Sequence, residues 1–232
     1  MPRTSSSNKT DILRAFAASV ADHGYDATSF REIAASLAIS KGTIVHHFGS
    51  KERLLEAVHR EYMNRRLREA DLILATTSDA AARLTALIAQ LLVTQRDDRD
   101  ATVTLAREIA RFAGMDLMRD VRGMRASYTD IVRGVVRDGV TSGEFGAVDV
   151  DLVTLQVFGM CNWSWTWWGR PEYDVVDVVL AWTTTLLGGL CGAAGPEHSA
   201  VAAVVRAVEA VVGTSSARIV DRANGQLLAS VT

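Results

Sequence analysis

The sequence has few of the features that mark secreted, disulfide-linked or membrane-spanning proteins. Its 232 residues include two cysteines, Cys161 and Cys191, both in apolar surroundings, which predict buried reduced thiols rather than a disulfide framework. No apolar run reaches the ~18 residues needed to span a bilayer, and the segment Met1–Asp11 is too polar for a secretory signal. These absences favour a cytoplasmic protein with no membrane association.

Proline is also rare. The three prolines lie at positions 2, 171 and 196, so none interrupts a helix between residues 3 and 170. Apolar residues recur at helical spacing from Ile12 to Val212, and sustained period-two alternation is absent. We therefore predict an all-α fold of about nine or ten helices. The predicted divisions are a flexible arm over 1–8, a head over 9–68, a second helical domain over 69–213 and a tail over 214–232.

Short-range signals define a helix-turn-helix in the head. Gly24 predicts the end of a first helix, and Ser29 followed three residues later by Glu32 is a capping-box pattern that begins a second. Ser40 is placed to cap a short third helix. The tight connection between the second and third helices predicts a helix-turn-helix at about residues 29–48.

Charge is unevenly distributed, although the formal net charge is only −2. Residues 1–70 hold 11 Lys/Arg and 8 Asp/Glu, whereas residues 71–232 hold 14 and 19. A mildly basic head on an acidic body is the asymmetry expected of a DNA-binding head. The excess of positive charge in the head is too small for a protein that binds DNA without sequence preference, because such binding depends on many phosphate contacts.

A longer pattern in the head points to a family. It consists of Thr-Ser-Phe-Arg-Glu-Ile-Ala at 28–34, Leu-Ala-Ile-Ser-Lys-Gly-Thr-Ile at 37–44, His-His-Phe at 46–48 and Ser-Lys-Glu-Arg-Leu-Leu at 50–55. This pattern resembles the DNA-binding head of the tetracycline-repressor (TetR) family over about residues 10–60. The resemblance implies a bacterial dimeric transcription regulator, usually a repressor that a small molecule releases from DNA. Val45 departs from the family pattern, which often has a DNA-contacting tyrosine there.

The third helix is the predicted recognition helix, because the major groove admits one helix and its N-terminal residues read base edges. Lys51, in the first turn of the fourth helix, is placed to bind a phosphate, and Thr28 and Arg31 at the start of the second helix are candidates for the other phosphate flank. Solvated surface charge is the alternative interpretation for Arg31 and Lys51. The predicted DNA contacts are Thr28, Arg31, Ser40, Lys41, Gly42, Thr43, Val45, His46, His47 and Lys51.

Metal binding and catalysis have little support in the sequence. His46 and His47 are adjacent helical residues that point about 100° apart, and no third ligand lies at zinc-site spacing. A Gly-x-Ser-x-Gly elbow, a His-Glu-x-x-His motif and a phosphate-binding loop are all absent. We expect a protein that is not an enzyme and uses no cofactor or metal.

Residues 150–169 and 174–191 predict two helices that are apolar nearly all round, so both of their sides must be covered. We predict a homodimer in which these two helices of each chain form a four-helix interface. The alternative is a central helix pair in a monomer. The predicted interface residues are Phe158, Trp165, Val179, Trp182, Leu186 and Gly189.

Four of the five tryptophans lie between residues 163 and 168, around the polar Asn162. Trp163 and Trp167, one helical turn apart, predict an apolar pocket in which Asn162 orients a ligand. The alternative is a tryptophan-rich dimer core with Asn162 bonded across it. The other predicted effector contacts are Arg107, Arg111, Tyr128 and Arg170.

The second half of the sequence also has a family resemblance. The segments that carry it are Thr-Ser-Gly-Glu-Phe at 141–145, Gly-Met-Cys-Asn-Trp at 159–163 and Trp-Trp-Gly-Arg-Pro at 167–171. With these segments, about residues 105–190 are similar to a subgroup of TetR-like regulators, several of which respond to acyl-CoA or related lipid and steroid catabolites. The resemblance implies a small hydrophobic or acyl-CoA-type effector and double-stranded operator DNA as the partner of the head. An activator, or a regulator that senses no ligand, stays open as an alternative.

Overall fold

The computed structural model describes residues 5–112, 114–167, 173–191 and 198–224. These residues form ten α-helices and no strand, which confirms the all-α prediction. Two 3₁₀ turns, Asp116–Met118 and Ser164–Thr166, precede α7 and follow α8. The helices are α1 (Ser5–His23), α2 (Phe30–Ser36), α3 (Lys41–Phe48), α4 (Lys51–Thr76), α5 (Ala80–Asp97), α6 (Arg99–Phe112), α7 (Arg119–Ser142), α8 (Val150–Trp163), α9 (Val175–Cys191) and α10 (His198–Asn224).

The chain divides into two compact units. The described residues of 1–64, 100–123 and 214–232 form a head unit, and those of 65–99 and 124–213 form a body unit. Helix α6, which the sequence placed in the second domain, therefore packs within the head unit. Its polar side chains bond to main-chain oxygens of α1, as with the Thr104 hydroxyl, which donates to the Ala17 oxygen at 3.0 Å.

The head unit forms as the capping signals predict. The Glu32 N–H donates to the Ser29 hydroxyl at 3.2 Å, and the Ser29 N–H donates to the Glu32 carboxylate at 3.3 Å, which completes the capping box of α2. The Thr43 N–H donates to the Ser40 hydroxyl at 3.0 Å and begins α3. Gly24, with φ of +85°, takes the left-handed conformation expected after α1.

Helix α5 is the centre of the body unit. Every residue from Leu84 to Gln95 is buried, and α5 packs against both α8 and α9. The Glu144 carboxylate accepts from the N–H groups of Ala80 and Ala81 at 2.8 and 2.7 Å, so it satisfies two of the free donors at the start of α5. A residue 63–64 positions away in sequence thereby fixes the end of α7 to the start of α5.

Two details differ from the sequence-based expectations. Helix α8 ends at Trp163 and the chain continues as a 3₁₀ turn, rather than as one helix over 150–169. Cys161 is buried as expected, but Cys191 is exposed, because it is the last residue of α9 and faces away from the core. None of the described helices is long and apolar enough to cross a membrane.

Candidate functional site

The recognition helix α3 has one buried and one exposed face. Ile44 is fully buried and Phe48 is 7% exposed, so this side anchors the helix to the head unit. Lys41, Gly42 and His46 are exposed on the other side. Val45 is 43% exposed, which is unusual for a valine and leaves its methyl groups at the protein surface. Helix α3 thus presents a short mixed surface of positive, apolar and imidazole groups.

The other polar residues of α3 have partners inside the helix. The hydroxyls of Ser40 and Thr43 share a hydrogen bond of 2.9 Å beside the capping contact. The rings of His46 and His47 lie 5.6 Å apart in an edge-to-face arrangement, and the His47 ring also meets Phe48 at 6.2 Å. His47 is half-buried by this packing. In the described part of the chain, no three His, Cys, Asp or Glu side chains are grouped as a metal site.

The two residues predicted to bind phosphate near the start of α2 differ in the exposure of their side chains. Arg31 is exposed in the first turn of the helix. Thr28 is only 2% exposed, and its hydroxyl donates to the Gly24 oxygen at 3.0 Å and bonds to Ser19 at 2.9 Å. The predicted DNA contact of the Thr28 side chain is therefore not supported, because the α1–α2 turn directs that side chain inward.

Lys51 lies at the start of α4, as predicted, beside the α1–α2 turn. Its Nζ donates to the main-chain oxygen of Asp26 at 3.3 Å and lies 4.2 Å from the centre of the Tyr25 ring. The Ser50 hydroxyl caps this helix by accepting from the Arg53 N–H at 3.2 Å. The lysine is half-buried.

Tyr25 is a central residue of the head unit that the sequence analysis missed. Its ring packs against Phe16 and Phe112, with ring centres 6.4 and 4.7 Å away. Its hydroxyl donates to Glu52 at 3.1 Å. Burial, together with the negative charge of Glu52, raises the pKa of Tyr25 well above its usual range. The one sequence signal that could have indicated Tyr25 is its position directly after Gly24, the residue that ends α1.

Arg107 and Arg111 lie on α6 and interact within the head unit. Arg107 donates to the Ala21 oxygen at 2.7 Å. Arg111 donates from both of its terminal nitrogens to the Asp26 carboxylate, at 2.7 and 2.9 Å. The predicted effector contacts of these two arginines are not supported, because both guanidinium groups already bind to residues at the end of α1 and in the turn that follows.

Tyr128 belongs to a buried polar cluster in the body unit. Its hydroxyl donates to the Gln90 side-chain oxygen at 2.7 Å, and the Gln90 amide donates to Glu69 at 3.0 Å. Glu69 also accepts from Arg66 at 2.7 Å. All four side chains are at most 3% exposed. This cluster joins α4, α5 and α7, and its residues lie outside the tryptophan-lined cavity described next.

A cavity of about 580 Å³ opens beside α9 in the body unit. The Trp167 ring meets the rings of Tyr173 and Trp182 at 5.8 and 6.0 Å, with interplanar angles of 76°. Three aromatic rings at steep angles, with Asp177 at the rim, thus surround this space. The lining residues are Trp167, Tyr173, Asp177, Val178, Ala181 and Trp182.

Two central members of the predicted pocket, Asn162 and Trp163, do not line this cavity. Asn162 is exposed and Trp163 is 68% exposed. The physical reason is the change from α-helix to 3₁₀ turn after Trp163, which removes the one-turn relation to Trp167. Arg170, the predicted contact for an anionic ligand, lies outside the described residues.

The predicted interface residues differ in how far they are buried within the single chain. Val179 and Leu186 are 0 and 5% exposed within a single chain, so their inclusion in a dimer interface is wrong. They belong to the buried side of α9, a helix that packs against α5. Phe158, Trp165 and Trp182 are half-buried, and Gly189 is exposed.

Comparison with known proteins gives a consistent result over most of the chain. Residues 12–58 match the family "Bacterial regulatory proteins, tetR family", and residues 77–172 match "Tetracyclin repressor-like, C-terminal domain". The HTH-type transcriptional repressor KstR2 of Mycolicibacterium smegmatis is 26% identical over 85% of this chain and 98% of its own. The fatty acid metabolism regulator protein of Bacillus subtilis is 23% identical over 77% of this chain and 93% of its own.

A solved structure has the same fold. The ketosteroid transcriptional regulator KstR2 of Mycobacterium tuberculosis superposes with a TM-score of 0.72 at 24% identity, covering 79% of this chain and 95% of that one. The helix-turn-helix geometry agrees with the two family matches, which occur in the expected order along the chain. The curated relatives named above are matched over nearly their full length. The chain therefore belongs to the TetR family of bacterial regulatory proteins.

Proposed function

We propose that the protein is a homodimeric transcriptional repressor that binds a palindromic operator through α2 and α3 and is released by a small hydrophobic or acyl-CoA-type effector. The observation that carries this proposal is α3 itself, whose Ile44 and Phe48 are buried while Lys41, Gly42 and Val45 face solvent at the helix start. Side chains in that position reach base edges when the helix enters the major groove.

Three exposed residues of α3 have definite roles in this proposal. Lys41 is the cation that reaches a guanine or a phosphate, and the Val45 methyl groups contact a thymine methyl. Gly42 has no side chain, so the main chain approaches the DNA closely. Arg31 and Lys51 bind phosphates on the two flanks and set the register of the head.

The dimer in this proposal uses the exposed faces of α8 and α9. On α8, Leu152 and Leu155 are 63 and 64% exposed, and Trp163 continues this apolar stripe. On α9 the exposed residues that do not line the cavity are small, with Thr185 and Gly189 one turn apart. Small residues let two helices approach closely, and large exposed apolar side chains are covered by a partner in most proteins. Two heads in one dimer contact successive major grooves about 34 Å apart.

The effector in this proposal occupies the cavity beside α9. Flat aromatic walls are suited to an apolar ligand, and Asp177 offers one polar contact. The names of the relatives, a ketosteroid regulator and a fatty acid metabolism regulator, support a lipid-derived ligand. A regulator of this kind acts on the bacterial chromosome, which places it in the cytoplasm, and it requires no catalytic step.

The proposal is tested by selecting duplexes from a random-sequence pool with the purified protein and measuring affinity for the selected sequence. We expect a palindromic site and a weaker complex after addition of a member of an acyl-CoA and hydrophobic ligand panel. Lys41→Ala is expected to weaken binding about 10-fold, because one good contact to a base or phosphate is worth ~1–3 kcal/mol.

A matched control removes the same charge elsewhere. Arg119 lies in the head unit and its side chain is 72% exposed, so Arg119→Ala is expected to bind DNA as the wild type does. Selection of no preferred sequence would contradict the repressor proposal. A selected sequence whose affinity responds to no ligand of the panel would contradict the effector part alone.

A further inference from the structure

We propose that Arg111 is a positioning residue for the DNA contact of Lys51: it neutralises Asp26, and a shift of α6 that withdraws it lets Asp26 bind Lys51 instead. This inference rests on the proposed function, because it takes Lys51 as a phosphate contact. It adds a route by which the position of α6 controls the affinity for DNA. All the residues involved lie in the head unit.

The contact between Arg111 and Asp26 is specific. Both terminal nitrogens of the guanidinium donate to both carboxylate oxygens, at 2.7 and 2.9 Å. This two-bond geometry matches the planar guanidinium to the planar carboxylate. The Arg111 side chain is 52% exposed and that of Asp26 is 75% exposed, so the pair lies at the protein surface. A carboxylate bound in this way presents little net charge to its surroundings.

Lys51 shares the same turn with Arg111. Its Nζ donates to the main-chain oxygen of Asp26 at 3.3 Å, and its ammonium lies over the Tyr25 ring at 4.2 Å. The Arg111 guanidinium is 5.6 Å from the centre of that ring. Two cations, one from α4 and one from α6, therefore meet at two consecutive residues.

The charges of these groups influence one another. The hydrogen bonds from Arg111 hold the pKa of Asp26 below its usual range, and the charge of Lys51 lowers it further. The other carboxylates near Tyr25 have partners of their own. Glu52 accepts from the Tyr25 hydroxyl, and Glu108 accepts from the Tyr25 N–H at 3.4 Å. Of these three carboxylates, Asp26 is the one whose charge an arginine of α6 neutralises.

The position of α6 sets the position of Arg111. Thr104 and Arg107 attach the same helix to main-chain oxygens of α1 at 3.0 and 2.7 Å. In the chain, α6 lies between α5, which belongs to the body unit, and α7, which enters the body unit at Met124. When α6 moves, the Asp26 carboxylate loses its arginine and has Lys51 as the neighbouring cation. The new pair withdraws the ammonium from DNA, because one lysine cannot bind both groups.

The test uses a duplex that the wild-type protein selects from a random-sequence pool and measures the dissociation constant at several KCl concentrations. Arg111→Gln is expected to weaken binding on the order of 10-fold, because exposed ion pairs have modest energies and a dimer has two heads. The slope of log affinity against log salt is expected to fall by about one for each head, as one phosphate contact is lost.

A double variant tests whether Asp26 is the cause of the weaker binding. Asp26→Asn combined with Arg111→Gln removes the competing carboxylate, so this double variant is expected to recover wild-type affinity and salt slope. Arg107→Gln is the matched control, because it removes another bond between α6 and α1 and leaves Asp26 with its arginine. It is expected to keep the wild-type slope. Arg111→Lys, which keeps the charge, is expected to bind more tightly than Arg111→Gln.

The outcomes are distinguishable. A double variant as weak as Arg111→Gln would show that Arg111 only fastens α6, and the inference would be wrong. Wild-type affinity in Arg111→Gln would also overturn it. If Arg111→Gln gives no helical protein by circular dichroism, Arg111→Met with and without Asp26→Asn replaces it, and equal weakening of DNA binding in these two would contradict the inference. Failure of the wild type to select any duplex would instead contradict the proposed function.

Discussion

At the scale of single residues, Gly139 shows how tightly the end of α7 is packed. A methyl group added to it would lie 2.3 and 2.5 Å from two ring carbons of Phe145 and 2.9 Å from the Ala80 side chain. Phe145 is 3% exposed and its N–H donates to the Gly139 oxygen at 2.9 Å, so the ring cannot move aside easily. Position 139 has an ordinary helical conformation, which any residue can adopt. Glycine is therefore needed there because there is no space for a side chain.

We expect Gly139→Ala to lower the free energy of unfolding by about 2 kcal/mol or more, because overpacking a buried contact costs ~1–3 kcal/mol. Gly134→Ala on the same helix is the control, because no atom lies within 4 Å of the added methyl group there. It is expected to raise stability by ~0.5–1 kcal/mol through helix propensity. Denaturant unfolding measures both, and equal effects of the two substitutions would contradict the packing argument.

The two thiols are expected to differ in reactivity. Burial raises the pKa of Cys161 to about 12, so its reactive thiolate is almost absent at pH 8. Cys191 is exposed, although partial burial and the nearby Glu144 raise its pKa somewhat. Iodoacetamide at pH 8 should therefore modify one thiol in the native protein and two after unfolding, as measured by mass spectrometry. Cys191→Ser should leave no thiol that reacts in the native state.

At the scale of helices, the buried cluster of Arg66, Glu69, Gln90 and Tyr128 connects three elements through polar groups. Glu69 accepts from both Arg66 and Gln90, at 2.7 and 3.0 Å, and is itself fully buried. Charges removed from water are costly unless they are paired. The carboxylate is thus the group that makes a buried arginine tolerable at this point of α4.

Glu69→Leu is expected to lower the free energy of unfolding by ~3–5 kcal/mol, because it removes the carboxylate that pairs with the buried Arg66 guanidinium. Arg66→Met together with Glu69→Leu should recover most of this loss, since apolar pairs of similar volume often replace buried ion pairs well. The control is Asp151→Asn at the surface, which breaks the 2.7 Å contact with Arg133. It should cost less than ~1 kcal/mol. A double variant no more stable than Glu69→Leu would argue against the charge explanation.

At the scale of the whole molecule, the proposed dimer determines whether two heads bind one DNA duplex together. Leu155 lies in the middle of the exposed apolar face of α8. Leu155→Glu places a charge in the interface and is expected to convert a dimer of twice 25.1 kDa into a monomer in sedimentation velocity. Affinity for a palindromic duplex should fall steeply with it, because each monomer contacts one half-site.

Leu72→Glu is the matched control for the dimer. Leu72 is also an exposed leucine, at 43%, but it lies on α4, which is not one of the two helices of the proposed interface. This variant is expected to remain dimeric and to bind DNA normally. Dimers of Leu155→Glu would place the interface elsewhere, and a monomeric wild type would contradict the homodimer and with it the preference for a palindrome.

The sequence by itself determined the helical class, the caps of α2 and α3 and the family, because these depend on residues a few positions apart. The Ser29–Glu32 capping box and the Ser40 cap require only the correct spacing along the chain. The exposed side of α3 followed in the same way from the period of a helix. Lys41 and Val45 are therefore exposed on α3, as the helical spacing of the sequence predicts.

Only the tertiary structure decided which side of an apolar helix is covered and which distant residues meet. Val179 and Leu186 are buried within the single chain, although their apolar character fitted a dimer interface equally well. Arg111 binds Asp26, 85 positions away, and a contact of this kind has no signature in local spacing. The physical reason is that burial depends on the whole packed arrangement, whereas capping and helix formation are determined by neighbours in the chain.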